Sequence, residues 1–248
     1  MGVVNVTPDS FSDGGRYLDP QRAVAHGREL VAQGADVVDV GGESTRPGAA
    51  PVGEAEERRR VVPVIEALAP SVRVSVDTRS AVVAEAALAA GATLVNDVSA
   101  SLWRLAAEAG VGWVAVHMQG RPATMQADPH YDDVVAEVGA FLRGRADRAR
   151  EAGVAEVWVD PGIGFGKTLE HNLRLLRDLD RLVAGGVPVV VGTSRKRSLG
   201  QLTGGAPVDD RLEASVATAV WAADHGAAMV RVHDVAPTVQ ALALLEAA

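Results

Sequence analysis

Val74-Ser75-Val76-Asp77 is a short β-branched run that stops on a carboxylate, and the chain repeats this phrase on both sides of it. Upstream, Val3-Val4 leads to Asn5 and Val37-Val38 to Asp39. Downstream, Leu94-Val95 leads to Asn96-Asp97, Val114-Ala115-Val116 to His117, and Val157-Trp158-Val159 to Asp160. Val189-Val190-Val191 then precedes Gly192-Thr193-Ser194-Arg195-Lys196, and Met229-Val230 precedes Arg231-Val232-His233-Asp234. Such runs, without clean alternation, read as strands buried on both faces of a parallel sheet. Polar groups stationed at the C-terminal ends of so many strands predict one shared rim.

The intervening segments have helical spacing. Asp19-Pro20 is a cap and first-turn pair for a helix through Val24, Leu30 and Val31 that stops at Gly34. Residues 53–68 form the next, with Pro63 expected to bend it or lie near its start. Ser80 opens an Ala-rich helix ending at Gly91. Others are expected at 101–109, at 131–151 and along Leu169, Leu173, Leu176 and Leu182. The last two are expected at 209–225, with Leu212, Val216 and Val220 facing inward, and at 237–247, with Val239, Leu242 and Leu245 inward.

Eight βα units with right-handed crossovers give either a doubly wound open sheet or a closed barrel. An open sheet would gather its ligand groups at one switch point, whereas here they are spread over the whole chain. The expectation is an α/β fold, a (β/α)8 TIM barrel, as a single domain over 1–248. Met1 lies in or just before the first strand, so an N-terminal segment capping the barrel is expected to be absent. The long polar connections, 5–19, 41–53 and 117–130, follow strands one, two and five, where functional loops belong.

Composition narrows the function. A net charge of -8 leaves no basic surplus for general nucleic-acid binding, although a few local cations suffice for a small anion. With no cysteine, disulfides and thiolate metal sites are excluded. No stretch of about 18 uncharged apolar residues is present, so a cytoplasmic protein without membrane partners is expected.

The connections carry longer strings than turns alone require. The first reads Asn5-Val6-Thr7-Pro8-Asp9-Ser10-Phe11-Ser12-Asp13-Gly14-Gly15, and the second Gly41-Gly42-Glu43-Ser44-Thr45-Arg46-Pro47-Gly48. Then follow Ser75-Val76-Asp77-Thr78, Asn96-Asp97-Val98-Ser99, His117-Met118-Gln119-Gly120 and Asp160-Pro161-Gly162-Ile163-Gly164-Phe165-Gly166-Lys167-Thr168. Gly192-Thr193-Ser194-Arg195-Lys196 and Arg231-Val232-His233-Asp234-Val235 complete the series. In this order, and over essentially the whole chain, the strings resemble the signature segments of the dihydropteroate synthase family.

That resemblance implies a transferase of folate biosynthesis. It would join 6-hydroxymethyl-7,8-dihydropterin diphosphate to 4-aminobenzoate, release diphosphate and use Mg2+. By resemblance, Asp77, Asn96 and Asp160 pair with the pterin edge, Lys196 reaches its ring carbonyl, and Val116 and Phe165 are apolar walls. Arg231, His233, Asn5 and Thr45 are assigned to the diphosphate, with Asn5 also contacting the metal. Pro8, Phe11, Thr45, Arg46, Pro47, Lys196 and Ser198 shape the aminobenzoate pocket, while Asp9 and Asp13 organise the loop and metal. Asp77, Lys196, Arg231 and His233 are the implied catalytic groups. The resemblance further implies sulfonamide sensitivity and a homodimer formed through helices around 209–225 and 237–247.

Plainer readings stand beside these. Each strand-end carboxylate could instead cap the following helix. His117 has no implied role and reads as structural. The Gly162–Thr168 string lacks the G-x-x-x-x-G-K spacing of a phosphate loop, so its glycines are read as permitting close backbone approach. Ala100-Ser101-Leu102-Trp103 stands where relatives have a longer Gly-rich loop. The competing functions are methyl transfer from a methyl-folate to a corrinoid protein, which needs neither the first loop nor the Arg-Val-His end, and a non-catalytic pterin-binding paralogue.

Overall fold

The computed structural model describes residues 1–7, 19–44 and 51–247. Its order is β1 (Gly2–Asn5), α1 (Pro20–Ala32), β2 (Val37–Gly41), α2 (Glu54–Leu68), β3 (Arg73–Asp77), α3 (Ala81–Ala89), β4 (Leu94–Asp97) and α4 (Trp103–Ala109). There follow β5 (Gly112–Val116), α5 (Val134–Glu151), β6 (Val157–Asp160), α6 (Leu169–Arg177), α7 (Leu179–Val183) and β7 (Val190–Val191). The chain ends with α8 (Arg197–Leu202), α9 (Leu212–Asp224), β8 (Met229–Val230) and α10 (Val235–Ala247).

Strands β1 to β6 pair in parallel in sequence order, and β7 pairs with β8. Parallel bridges between Val159 and Val189 and between Gly2 and Val232 join the two sheets and close the ring. The fold is the expected TIM barrel.

Strand periodicity explains how a polar rim can sit on an apolar barrel interior. Alternate residues of a strand share a face. Val37 and Leu94 therefore face the same way as Asp39 and Asn96, one step further along their strands. Trp158 and Met229 precede Asp160 and Arg231 in the same manner. The apolar interior is a cluster that includes Met1, Val37, Leu94, Val114, Val116 and Val190, with Trp158, Phe165 and Met229 packed on it, and it rises to the rim at Val116, in register with Asp160. The opposite strand faces contribute Val4, Val38, Val40, Val74, Val76 and Val95 to the larger core beneath the helices.

Local signals act as the sequence indicates at several helix starts. The Asp19 carboxylate accepts from the Gln21 amide with Pro20 in the first turn, and Ser80 caps α3 through the Val83 amide. Of the two expected places, Pro63 takes the one inside α2, where it leaves the preceding turn without one amide donor. Other expectations need correction. The single helix expected along Leu169–Leu182 breaks at Asp178 into α6 and α7. Helix α8 was not anticipated.

The inward faces of the last helices differ in part from those expected, although Leu242 does pack on the core. Ser215, Ala219 and Ala222 are the buried residues of α9, and Val235 and Thr238 those of α10. Small side chains let these helices lie close on the barrel. Leu212, Val239 and Trp221 are consequently exposed, with Trp221 at 46% and Leu244 at 74%.

Candidate active site

The C-terminal ends of β2, β3, β4, β6 and the turns after β7 and β8 bring the polar side chains together. Arg231 is the hub. Its Nε donates to Asp39 Oδ2 at 2.6 Å, and its Nη2 donates to Asp77 Oδ2 at 2.9 Å. Asn96 Nδ2 donates to the same Asp39 oxygen at 3.0 Å. Residues far apart in sequence thus form one network, and Asp77, Asn96 and Arg231 converge as expected.

Asp39 is the member that sequence reading overlooked. Strand β2 continues past it to Gly41, so Asp39 is in register with Ser75 rather than with Asp77. It is 0% exposed, one layer deeper than Asp77. The legible signal was a carboxylate in mid-strand, two residues beyond inward-facing Val37. Gly41 is the residue in register with Asp77, and its missing side chain leaves space above the network. A Cβ there would stand 3.7 Å from Asp77 Oδ2 and 3.8 Å from Asn5 Oδ1, so both side chains border that space.

The opposite wall is built by the turns after β6 and β7. Asp160 Oδ1 accepts from the Gly162 amide at 2.6 Å. Lys196, at the N-cap of α8, sends its ammonium to the Ile163 carbonyl and lies 4.8 Å from the centre of the Phe165 ring. Val116 is buried at the end of β5, and Ser198 is buried in the first turn of α8. His233 follows Arg231 by two residues, and its amide and Nδ1 both meet Ser194 Oγ, at 3.1 and 3.0 Å. Pro8, Asp9, Phe11, Asp13, Thr45, Arg46 and Pro47 lie outside the described residues.

Burial dominates the electrostatics. It pushes the Asp77 carboxyl up to about 7 against the pull of Arg231, with Asp39 adding to the rise. Burial also raises Asp160, while Lys196 opposes that rise. Lys196 is brought down to about 8 by burial, although Asp160 favours its charge. For Arg231, burial works against the cation, but Asp39 and Asp77 outweigh it and leave the guanidinium charged. The site therefore holds acceptors and donors for a flat heterocycle with a polar edge.

The plainer readings separate here. Asp97, not Asp77, is the strand-end carboxylate spent on local structure. Its Oδ2 accepts from the Ser101 and Leu102 amides at 2.7 Å and from Trp113 Nε1 at 3.1 Å. This holds the abbreviated segment after β4 in place. His117 is structural as expected, with its Nδ1 2.9 Å from the buried Lys167 ammonium.

The description "Pterin binding enzyme" belongs to the family whose pattern matches residues 1–233. The chain belongs to the dihydropteroate synthase family. It is 51% identical over 261 residues to the dihydropteroate synthase of Mycobacterium leprae, covering 100% of this chain and 92% of that one. The Yersinia pestis enzyme, solved with a sulfonamide drug complex, superposes with a TM-score of 0.96 at 46% identity, covering 100% and 92% of the two chains. The Xanthomonas albilineans enzyme with 4-aminobenzoic acid gives a TM-score of 0.92 at 50% identity, covering 100% and 91%. As a member of this family the chain is a transferase of folate biosynthesis, condensing 6-hydroxymethyl-7,8-dihydropterin diphosphate with 4-aminobenzoate to 7,8-dihydropteroate and diphosphate.

Proposed function

We propose that this chain performs the condensation by dissociative substitution at the pterin methylene, with the strand-end residues acting as fixed electrostatic partners. The Asp39–Arg231–Asp77 network beside Asn96 is the observation that supports this assignment most strongly. Asp77, Asn96 and Asp160 pair with the donors and acceptors of the pterin edge, Lys196 donates to its ring carbonyl, and Val116 and Phe165 enclose its faces. A slot built this way rejects analogues that leave its buried polar groups unpaired.

The methylene C–O bond breaks with its electron pair moving to the diphosphate. Arg231 and His233 stabilise that leaving group, and Asn5 and Thr45 bind beside it. The buried carboxylates of Asp77 and Asp160 stabilise the cationic dihydropterin left behind. The aniline nitrogen of 4-aminobenzoate then forms the new C–N bond and releases its proton, so no protein nucleophile is required. Pro8, Phe11, Thr45, Arg46, Pro47, Lys196 and Ser198 hold the aminobenzoate, and Asp9 and Asp13 order the first loop.

Mg2+ is the proposed cofactor. Among the described residues no cluster of three or more His, Cys, Asp or Glu groups could hold a metal by itself. A lone hard oxygen donor such as Asn5 Oδ1 suits an ion that takes most of its ligands from water and substrate phosphates. When bound it would supply charge neutralisation to the diphosphate.

The exposed apolar residues of α9 and α10, Leu212, Trp221, Val239 and Leu244, support a homodimer formed through these helices. Among the described residues no helix is long and apolar enough to cross a membrane, and a cytoplasmic location is proposed. The direct test is diphosphate release with both substrates and Mg2+, omitting each in turn. Release that continues without 4-aminobenzoate at an undiminished rate would refute the condensation.

A further inference from the structure

Five consecutive backbone carbonyls after β6 are each held by a side chain. Lys167 Nζ donates to Gly162 O and Phe165 O, both at 3.0 Å. Lys196 holds Ile163 O, Gln126 Nε2 holds Gly164 O at 2.6 Å, and the Tyr131 hydroxyl holds Gly166 O at 2.9 Å. Such dense fixing of an irregular segment exceeds what closing a βα turn demands. It requires alternate residues in left-handed conformations, with φ of +64° at Gly162, +86° at Gly164 and +61° at Gly166.

Lys167 is the centre of this arrangement and is only 2% exposed. An ammonium has three N–H donors, and Gly162 O, Phe165 O and His117 Nδ1 supply three acceptors within 3.0 Å. While Lys167 is protonated, His117 is neutral with its proton on Nε2. Burial and the adjacent lysine hold its basicity down to about 3, which keeps it in that form. Lys196 in turn rests on the fixed segment, through Ile163 O, the Phe165 ring and a close passage of its Cδ over Gly164.

We propose that Lys167 is a positioning residue for pterin binding, acting through the 162–166 backbone to set the height of Phe165 and the reach of Lys196. This rests on the assignment of Lys196 and Phe165 to the pterin slot. A lysine serving only to satisfy buried carbonyls would affect the amount of folded enzyme, not its discrimination between substrates.

The test compares the full chain with its Lys167→Met variant, at a temperature where circular dichroism shows both folded. We expect KM for the pterin diphosphate to rise ~10-fold or more, since displacement of positioning groups is costly, and KM for 4-aminobenzoate, which shares only Lys196 with the displaced segment, to rise by a smaller factor. Unchanged KM values for both substrates, with or without a lower active fraction, would overturn the proposal. If Lys167→Met does not fold, His117 variants decide. His117→Leu removes one acceptor and should raise the pterin KM several-fold, whereas His117→Asn keeps an acceptor and should recover most of it. Equal pterin KM values in these two and the parent chain would again overturn it. Failure of the parent chain to bind the pterin diphosphate would instead strike the assignment of the slot itself, and this inference with it.

Discussion

The turns after β6 and β7 both carry glycines and both deliver a lysine, buried at Lys167 and half-buried at Lys196, yet they use it in opposite ways. After β6, Lys167 folds back onto its own loop and is consumed by backbone carbonyls and His117. After β7, neighbouring elements hold the turn. The Arg195 amide donates to Ser215 Oγ, the Arg195 guanidinium pairs with Asp234, and Arg211 caps the Arg195 carbonyl. That leaves Lys196 able to reach across the rim. Burial depresses both lysines, to about 7 for Lys167 and about 8 for Lys196. Residue type and depressed basicity are therefore shared, and the source of the turn's own support separates a fastening lysine from one at the slot.

Glycine substitutions should expose the contrast most sharply. A Cβ on Gly162 would stand 1.8 Å from the His117 carbonyl oxygen, at a φ of +64°. One on Gly192 would come no closer than 3.6 Å to any neighbour, the Arg231 Cβ. Gly162→Ala is expected to cost ~4 kcal/mol or more of stability, and Gly192→Ala under ~1 kcal/mol, in urea unfolding. Similar unfolding midpoints for the two variants would erase the distinction.

Next in size is Lys196→Met. Removing a fixed charge aimed at the reacting ring should lower kcat/KM by ~10²–10³-fold. Its melting temperature should change little, because relief of the desolvated ammonium is offset by the loss of its attraction to Asp160. A melting temperature that falls as far as activity would make Lys196 another fastening group. Asp77→Asn should depress turnover by a comparable ~10²-fold while leaving the β6 turn intact.

The smallest effect is on pH dependence. Asp77 must be ionised to accept from the pterin, so kcat/KM should decline as pH falls through about 7. Lys196 must be protonated to donate, so it should decline again as pH rises through about 8. Stability without substrate has the opposite sign at Asp77. A carboxyl whose folded value is raised stabilises the fold at acid pH and loses that contribution as pH climbs from about 4 to about 7. Unfolding of the parent chain and Asp77→Asn across this range should diverge accordingly. Parallel curves would show that Asp77 is not strained by burial.

Much of this was readable in advance. Runs such as Val189-Val190-Val191 specify buried parallel strands because no alternation distinguishes a wet face. Asp77, Asn96, Asp160, Lys196 and Arg231 could be placed at one rim because all follow such runs. Asp39 stands in the same series but carries no role in the sequence reading, because only the closed barrel shows that it lies a layer deeper and meets Arg231. Of the residues expected inward on α9 and α10, Leu242 packs on the core, whereas Leu212 and Val239 turn out to solvent for a related reason. Helical spacing identifies a stripe of Leu and Val, but small Ser215, Ala219 and Ala222 pack closer to the barrel and win the inward position.

Sequence alone determined the barrel and the residues gathered at its mouth, because strand and helix periodicities are local and the order of βα units admits few topologies. Tertiary structure alone decided which of those residues touch. That Asp39 anchors Arg231 depends on contact between side chains far apart in the chain, and that Asp97 is spent on a cap and Lys167 on its own loop depends on the folded path of the backbone beside them. Periodicity says which way a side chain points, and only the closed barrel fixes what stands opposite it.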